Sequence, residues 1–114
     1  MKDDRLYVTH VLDCLDRIQR YCRQGKTAFF AEDIIQDAVP RNLQTLAEST
    51  QRMSDRLKAS HPEIDWRAIS GFRNVLVHDY LGINLVRVWE IVSVHLPLLH
   101  SQLEAIRREP DSHG

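Results

Sequence analysis

Along most of the chain apolar residues recur every three to four positions, a period that predicts helices rather than strands. The first stripe, within residues 4–23, is Val8, Val11, Leu12, Leu15, Ile18 and Cys22, with Asp3 or Asp4 placed to cap its start and Gly25 to close its end. A second stripe runs Phe30, Ile34, Ala38, Leu43, Leu46, Thr50, Met53 and Leu57. It predicts a long helix over about 28–59, kinked where Pro40 removes an amide donor and crowds the Gln36 carbonyl; two helices broken near Pro40 fit the same pattern. His61-Pro62-Glu63-Ile64 reads as a connector, and Asp65 as the cap of a helix that Trp66 opens. The buried face of that helix is Trp66, Ile69, Phe72, Leu76 and Val77. Val75-Leu76-Val77 alone would suit a strand, but the helical period of its flanks decides for helix. Gly82 allows a turn, Asn84 caps a fourth helix carrying Leu85, Val88, Trp89, Val92 and Leu96, and Pro97 suits the first turn of a fifth carrying Leu98, Leu99, Leu103 and Ile106. The polar run from Arg107 to Gly114 is expected to fray. The pattern therefore predicts an all-α fold, an up-and-down bundle of four to five helices over 1–107 with a flexible tail over 108–114.

Size and charge narrow the functional classes. A chain of 114 residues is one domain with a modest core. A formal net charge of −1 excludes a globally basic nucleic-acid binder, so any RNA affinity must come from a local patch. The start Met-Lys-Asp-Asp lacks the apolar core of a signal peptide and no apolar run approaches membrane-spanning length, which places the expected site of action in the cytoplasm. Cys14 and Cys22, eight apart on one helix, are too distant to bridge and read as reduced thiols packed as small apolar residues.

One stretch does not look like a solvated helix face. Arg73-Asn74-Val75-Leu76-Val77-His78-Asp79-Tyr80 concentrates a fixed cation, an imidazole, an amide, a carboxylate and a phenol within eight positions. On a helix Asn74 and His78 are neighbours, and Arg73 and Tyr80 align on an adjoining face, a set suited to phosphate chemistry. Arg73 and His78 stand about 140° apart on an ideal helix, so they meet at one substrate only if the helix ends near His78 or a second copy of the chain completes the site. The plainer alternative is an arginine paired with Asp79 or Glu90 and a histidine bonded to Asn74, which is equally compatible with the residues alone. His95 and His100 lack the spacing of a helical metal pair, His10, His61 and His113 have no ligand-spaced partners, and neither a metal nor another cofactor is expected. Glu48 reads more readily as a solvated carboxylate than as a site residue, and the two tryptophans as core.

The 73–80 stretch resembles the arginine, four residues, histidine, one residue, tyrosine signature of the HepT-like proteins, a branch of the HEPN superfamily. The likeness extends to Phe30-Ala31-Glu32-Asp33, Asp37 through Leu43, His61 through Arg67, and Val88-Trp89 with Leu96-Pro97, and so covers residues 1 to about 107. The family pattern has Gly-Glu-Ala where this chain has Ala47-Glu48-Ser49. The resemblance implies a metal-independent endoribonuclease toxin of a prokaryotic type VII-like toxin–antitoxin pair, with Arg73 and His78 catalytic and Asn74 and Asp79 supporting. It implies a homodimer in which both chains line the cleft, which would supply the geometry a single helix lacks. It also implies an MntA-type nucleotidyltransferase antitoxin that neutralises the toxin by transferring AMP to Tyr80. The alternative it leaves is a non-catalytic nucleotide-binding or helical dimerisation partner of such a nucleotidyltransferase.

Overall fold

A computed structural model describes residues 2–77 and 84–110. Helix α1 (Lys2–Tyr21) buries the expected Val8, Val11, Leu12, Leu15 and Ile18 and packs against both α3 (Asp33–Gln51) and α7 (Leu96–Arg108). Helix α5 (Trp66–Val77) packs on α3, so α3 lies between α1 and the motif-bearing helix. The fold is an all-α bundle, with no strand among the described residues. None of its described helices is long and apolar enough to cross a membrane.

The predicted helix over 28–59 is instead three helices, and Pro40 breaks none of them. The first, α2 (Lys26–Ala31), ends at Glu32, whose backbone is extended at φ −113° and ψ 117° before α3 begins. That break resets the helical phase. Phe29, Ile35 and Val39 enter the core in place of the expected Phe30, Ile34 and Ala38, and Ile34 is left 70 % exposed. Pro40 lies within α3 with its ring buried, and this apolar burial offsets part of the roughly 3 kcal/mol that a proline costs inside a helix. The second break comes after Gln51, where a local hydrogen-bond set competes with helix continuation. Asp4, nearly fully buried, accepts the Ser54 N–H at 2.8 Å through Oδ1 and the Ser54 hydroxyl at 2.6 Å through Oδ2. Ser54 Oγ in turn accepts the Leu57 N–H at 3.1 Å and caps α4 (Asp55–Ser60).

The two helices expected on either side of Pro97 form one continuous run. Asn84 caps α6 (Leu85–Glu90) as expected, its Oδ1 accepting the Arg87 N–H at 3.1 Å. A π-helical turn over Ile91–His95 then joins α6 to α7. The Leu96 N–H reaches back to the Ile91 carbonyl, and Pro97, with no N–H to continue that ladder, follows directly. Leu98, expected on the buried face, is 63 % exposed, while Leu96, Leu99, Leu103 and Ile106 are buried.

The connector contributes more than a turn. Ile64 is buried, and His61 is almost so, with Nδ1 3.3 Å from Glu63 and Nε2 3.4 Å from Glu109. Arg5 Nη2 donates to the Glu109 carbonyl at 3.0 Å. The chain just after α7 is thus fastened at Glu109, and α7 includes Arg108 beyond the expected limit of 107. Residues 111–114 of the expected tail lie outside the described residues.

Candidate functional site

Three contacts seat the start of α5. Asp65 Oδ1 accepts the Ala68 N–H at 3.0 Å, the cap read from the sequence. Trp66 Nε1 donates to the carbonyls of Lys58 at 3.2 Å and His61 at 3.0 Å, which binds the helix to the end of α4. Ile69 and Phe72 are buried, and the Phe72 ring lies 6.2 Å from that of His95. Arg73 follows immediately and is exposed.

Arg73 is held across an element boundary. Its Nη1 donates to Gln51 Oε1 at 3.0 Å, and Gln51 is the last residue of α3. Neither acceptor considered from the sequence is seen to hold it: Glu90 pairs with Arg87, and Asp79 lies outside the described residues. Glu48, half-buried, stands three residues before Gln51 on the same helix. Asn74 belongs to the helical backbone of α5, while His78, Asp79 and Tyr80 lie outside the described residues. Of the sequence-derived candidates, then, Arg73 is the one given a partner, and that partner was not among them. Nothing local could have flagged Gln51, because it stands 22 positions before Arg73 and only the packing of α3 on α5 brings the two together.

The end of α3 that carries Gln51 is itself fixed to α1. Ser49 Oγ, on a buried residue, lies 2.9 Å from His10 Nδ1, and Asp4 holds Ser54 by the two bonds given above. These attachments fall two residues before and three residues after Gln51.

A second feature invites a chemical reading and does not support one. A cavity of about 460 Å³ lies between α1 and the run from α6 to α7, with Cys22, Trp89 and His100 among its lining residues. Burial pushes the Cys22 thiol from its ordinary 9.0 up to about 11, and Cys14 is also raised, by burial first. A thiol so shifted is protonated at neutral pH and is a poor nucleophile. Cys22 is expected to react with iodoacetamide at pH 8 more than about tenfold slower in the folded protein than after denaturation, checked by timed labelling and mass spectrometry. His100 is engaged at this rim by Asp16, with Nε2 2.9 Å from Oδ1. Among the described residues no group of three or more His, Cys, Asp or Glu side chains is arranged so that it could hold a metal ion.

The model of the family described as "Ribonuclease HepT-like" matches residues 11–106. The chain is 28 % identical over 107 residues to a "Putative RNase" of Caldanaerobacter subterraneus subsp. tengcongensis, covering 93 % of this chain and 96 % of that protein. It is 27 % identical to a "Probable ribonuclease HepT" of Thermococcus cleftensis, covering 90 % of this chain and 94 % of that one. It is also 27 % identical over 111 residues to a "Gamma-glutamylcyclotransferase and putative RNase" of Methanocaldococcus jannaschii. That match covers 96 % of this chain, which spans only 50 % of the relative's length. No solved structure matches the chain.

Proposed function

This chain belongs to the ribonuclease HepT-like family, and from that premise we propose that it is a metal-independent endoribonuclease toxin whose reaction is carried by Arg73 and His78. The observation that carries this reading is the presentation of Arg73: exposed, on a helix seated by Asp65, Trp66 and Phe72, with its guanidinium directed by Gln51. Guanidinium has five N–H donors, and among the described residues one of them is taken, by Gln51.

The substrate supplies its own nucleophile. The 2′-hydroxyl of RNA attacks the adjacent phosphorus, giving up its proton as the bond to the 5′-oxygen breaks, and leaves a 2′,3′-cyclic phosphate and a 5′-hydroxyl. His78 accepts the first proton or donates the second. Arg73 holds the phosphate and the negative charge that grows on its oxygens. Asn74, one turn before His78 in sequence, and Asp79 beside it serve to orient the imidazole. The working site in this reading is a cleft shared by two copies of the chain, which would bring to one substrate two groups that stand about 140° apart on an ideal helix.

Tyr80 is the point of control in this reading. A cognate nucleotidyltransferase antitoxin transfers AMP from ATP to its phenol oxygen: the new bond to the α-phosphorus forms as the α–β phosphoanhydride breaks, and pyrophosphate and the phenol proton leave. The new phosphodiester occupies Arg73 as substrate would, and the adenosine fills the cleft.

Three measurements test the proposal. The purified protein is expected to sediment as a dimer at micromolar concentration and to cleave RNA equally well with and without EDTA. Intact RNA after incubation with the dimer would replace this reading with that of a non-catalytic partner of a nucleotidyltransferase. Loss of cleavage in EDTA would remove metal independence. Co-expression with the neighbouring nucleotidyltransferase is expected to add one or more AMP units to the intact mass, none of them in Tyr80→Phe; an unmodified yet inhibited complex would mean the partner acts by binding alone.

A further inference from the structure

We infer that Gln51 is a positioning residue for RNA cleavage: it fixes the rotamer of Arg73 so that the free edge of the guanidinium meets the phosphate. The inference rests on the ribonuclease reading above and adds to it a residue from a different helix.

An arginine on an exposed helix face has four rotatable side-chain bonds and samples many directions. Ordering it when substrate arrives costs rotamer entropy. A single bond formed beforehand, at 3.0 Å from Nη1 to Gln51 Oε1, removes much of that freedom in the free protein. The acceptor is neutral, so it directs the guanidinium without neutralising it, whereas a carboxylate in the same place would compete with the phosphate for its charge.

A positioning group is only as good as its own support. Gln51 meets that condition through the backbone. It is the final residue of α3, and the chain on both sides of it is tied to α1, by Ser49 to His10 at 2.9 Å and by Ser54 to Asp4 at 2.8 and 2.6 Å. The opposite end of the bond is equally anchored, since Phe72, next to Arg73, is buried. Both bonding side chains lie at the surface, so the contact contributes little to stability, and its role is in the direction it imposes.

The test is kinetic, on the full-length protein with a defined oligoribonucleotide, and uses a double-mutant cycle. Gln51→Ala is expected to lower kcat about tenfold, the scale on which misdirected catalytic groups act, with an unchanged circular dichroism spectrum and melting temperature. Gln51→Glu keeps an acceptor oxygen but adds a charge that competes with the phosphate for the guanidinium, and is expected to leave kcat below and KM above the wild-type values. In the Arg73→Ala background, assayed at higher protein concentration, Gln51→Ala is expected to have no further effect. An unchanged kcat in Gln51→Ala, beside a strong loss in Arg73→Ala, would overturn the positioning role and leave the ribonuclease reading standing. The same loss on Gln51→Ala with and without Arg73 would also overturn it, because Gln51 would then act independently. A wild type that cleaves nothing, or an Arg73→Ala protein as active as wild type, would remove the ribonuclease reading on which this inference rests.

Discussion

Replacement of His78 or of Arg73 by alanine is expected to lower RNA cleavage by about 10²–10⁴-fold, the range typical of removing a positioned acid–base group or a single transition-state donor. The fold is expected to survive. Arg73 is exposed and its described bond is to another exposed side chain, so among the described residues its removal leaves no buried group unpaired. The His78 loss should appear in kcat more than in KM, since the imidazole acts on protons that move only in the transition state, whereas the Arg73 loss should appear in both, since the guanidinium also holds the charged phosphate of the bound substrate. The variants separate the roles further. Arg73→Lys keeps a positive charge but loses the planar fork that grips two phosphate oxygens at once, and should recover only part of the activity. Cleavage that persists in both alanine variants would place the chemistry elsewhere or in a contaminating nuclease, and growth arrest on induced expression, wild type beside His78→Ala, gives an independent readout.

The largest effect on stability is expected from Phe29→Ala, at about 3–5 kcal/mol, read as a fall of about 10–20 °C in melting temperature. Phe29 is fully buried and is the one buried residue of α2, a helix of 6 residues too short to persist without tertiary contacts. Its ring lies 5.2 Å from that of Trp89 on α6 and 5.1 Å from that of Phe30. Truncation would therefore open a void between α2, α3 and α6 and release α2 from its only deep anchor. Phe30→Ala, by contrast, removes a ring already 37 % exposed and should cost far less. Equal losses for the two variants would mean that the phase of α2 is other than described.

That pair of phenylalanines also marks the limit of what the sequence could convey. The stripe of α1 was legible because nothing interrupts its period, and the caps Asp65 and Asn84 because capping is a local bond within three residues. The second stripe misled at its start. A single extended residue, Glu32, shifts the helical phase, and no glycine or proline announces it. Pro40 pointed to a break that its burial makes tolerable, and the real break after Gln51 depends on Asp4, 50 positions earlier than Ser54. The candidate site divides in the same way. Arg73 could be named as a candidate from the pattern, whereas Gln51, at a sequence distance of 22, could be found only through the packing of α3 on α5.

The π turn over Ile91–His95 leaves the last helix with slack in its length. A turn closed five residues back holds one residue more than the α-helical turn it replaces, so it stores an insertion without rotating the helix on either side. Val88 before it, Ile91 at its first position, and Leu99 and Leu103 after it all face the core under this arrangement. A sequence one residue shorter between Trp89 and Pro97 would close the turn to ordinary α-helix and keep both faces in phase. The same deletion in the middle of α1 would swing Leu15 and Ile18 about 100° away from the core. Lineages of this fold are therefore free to gain or lose a residue at the π turn, while the length of α1 is constrained.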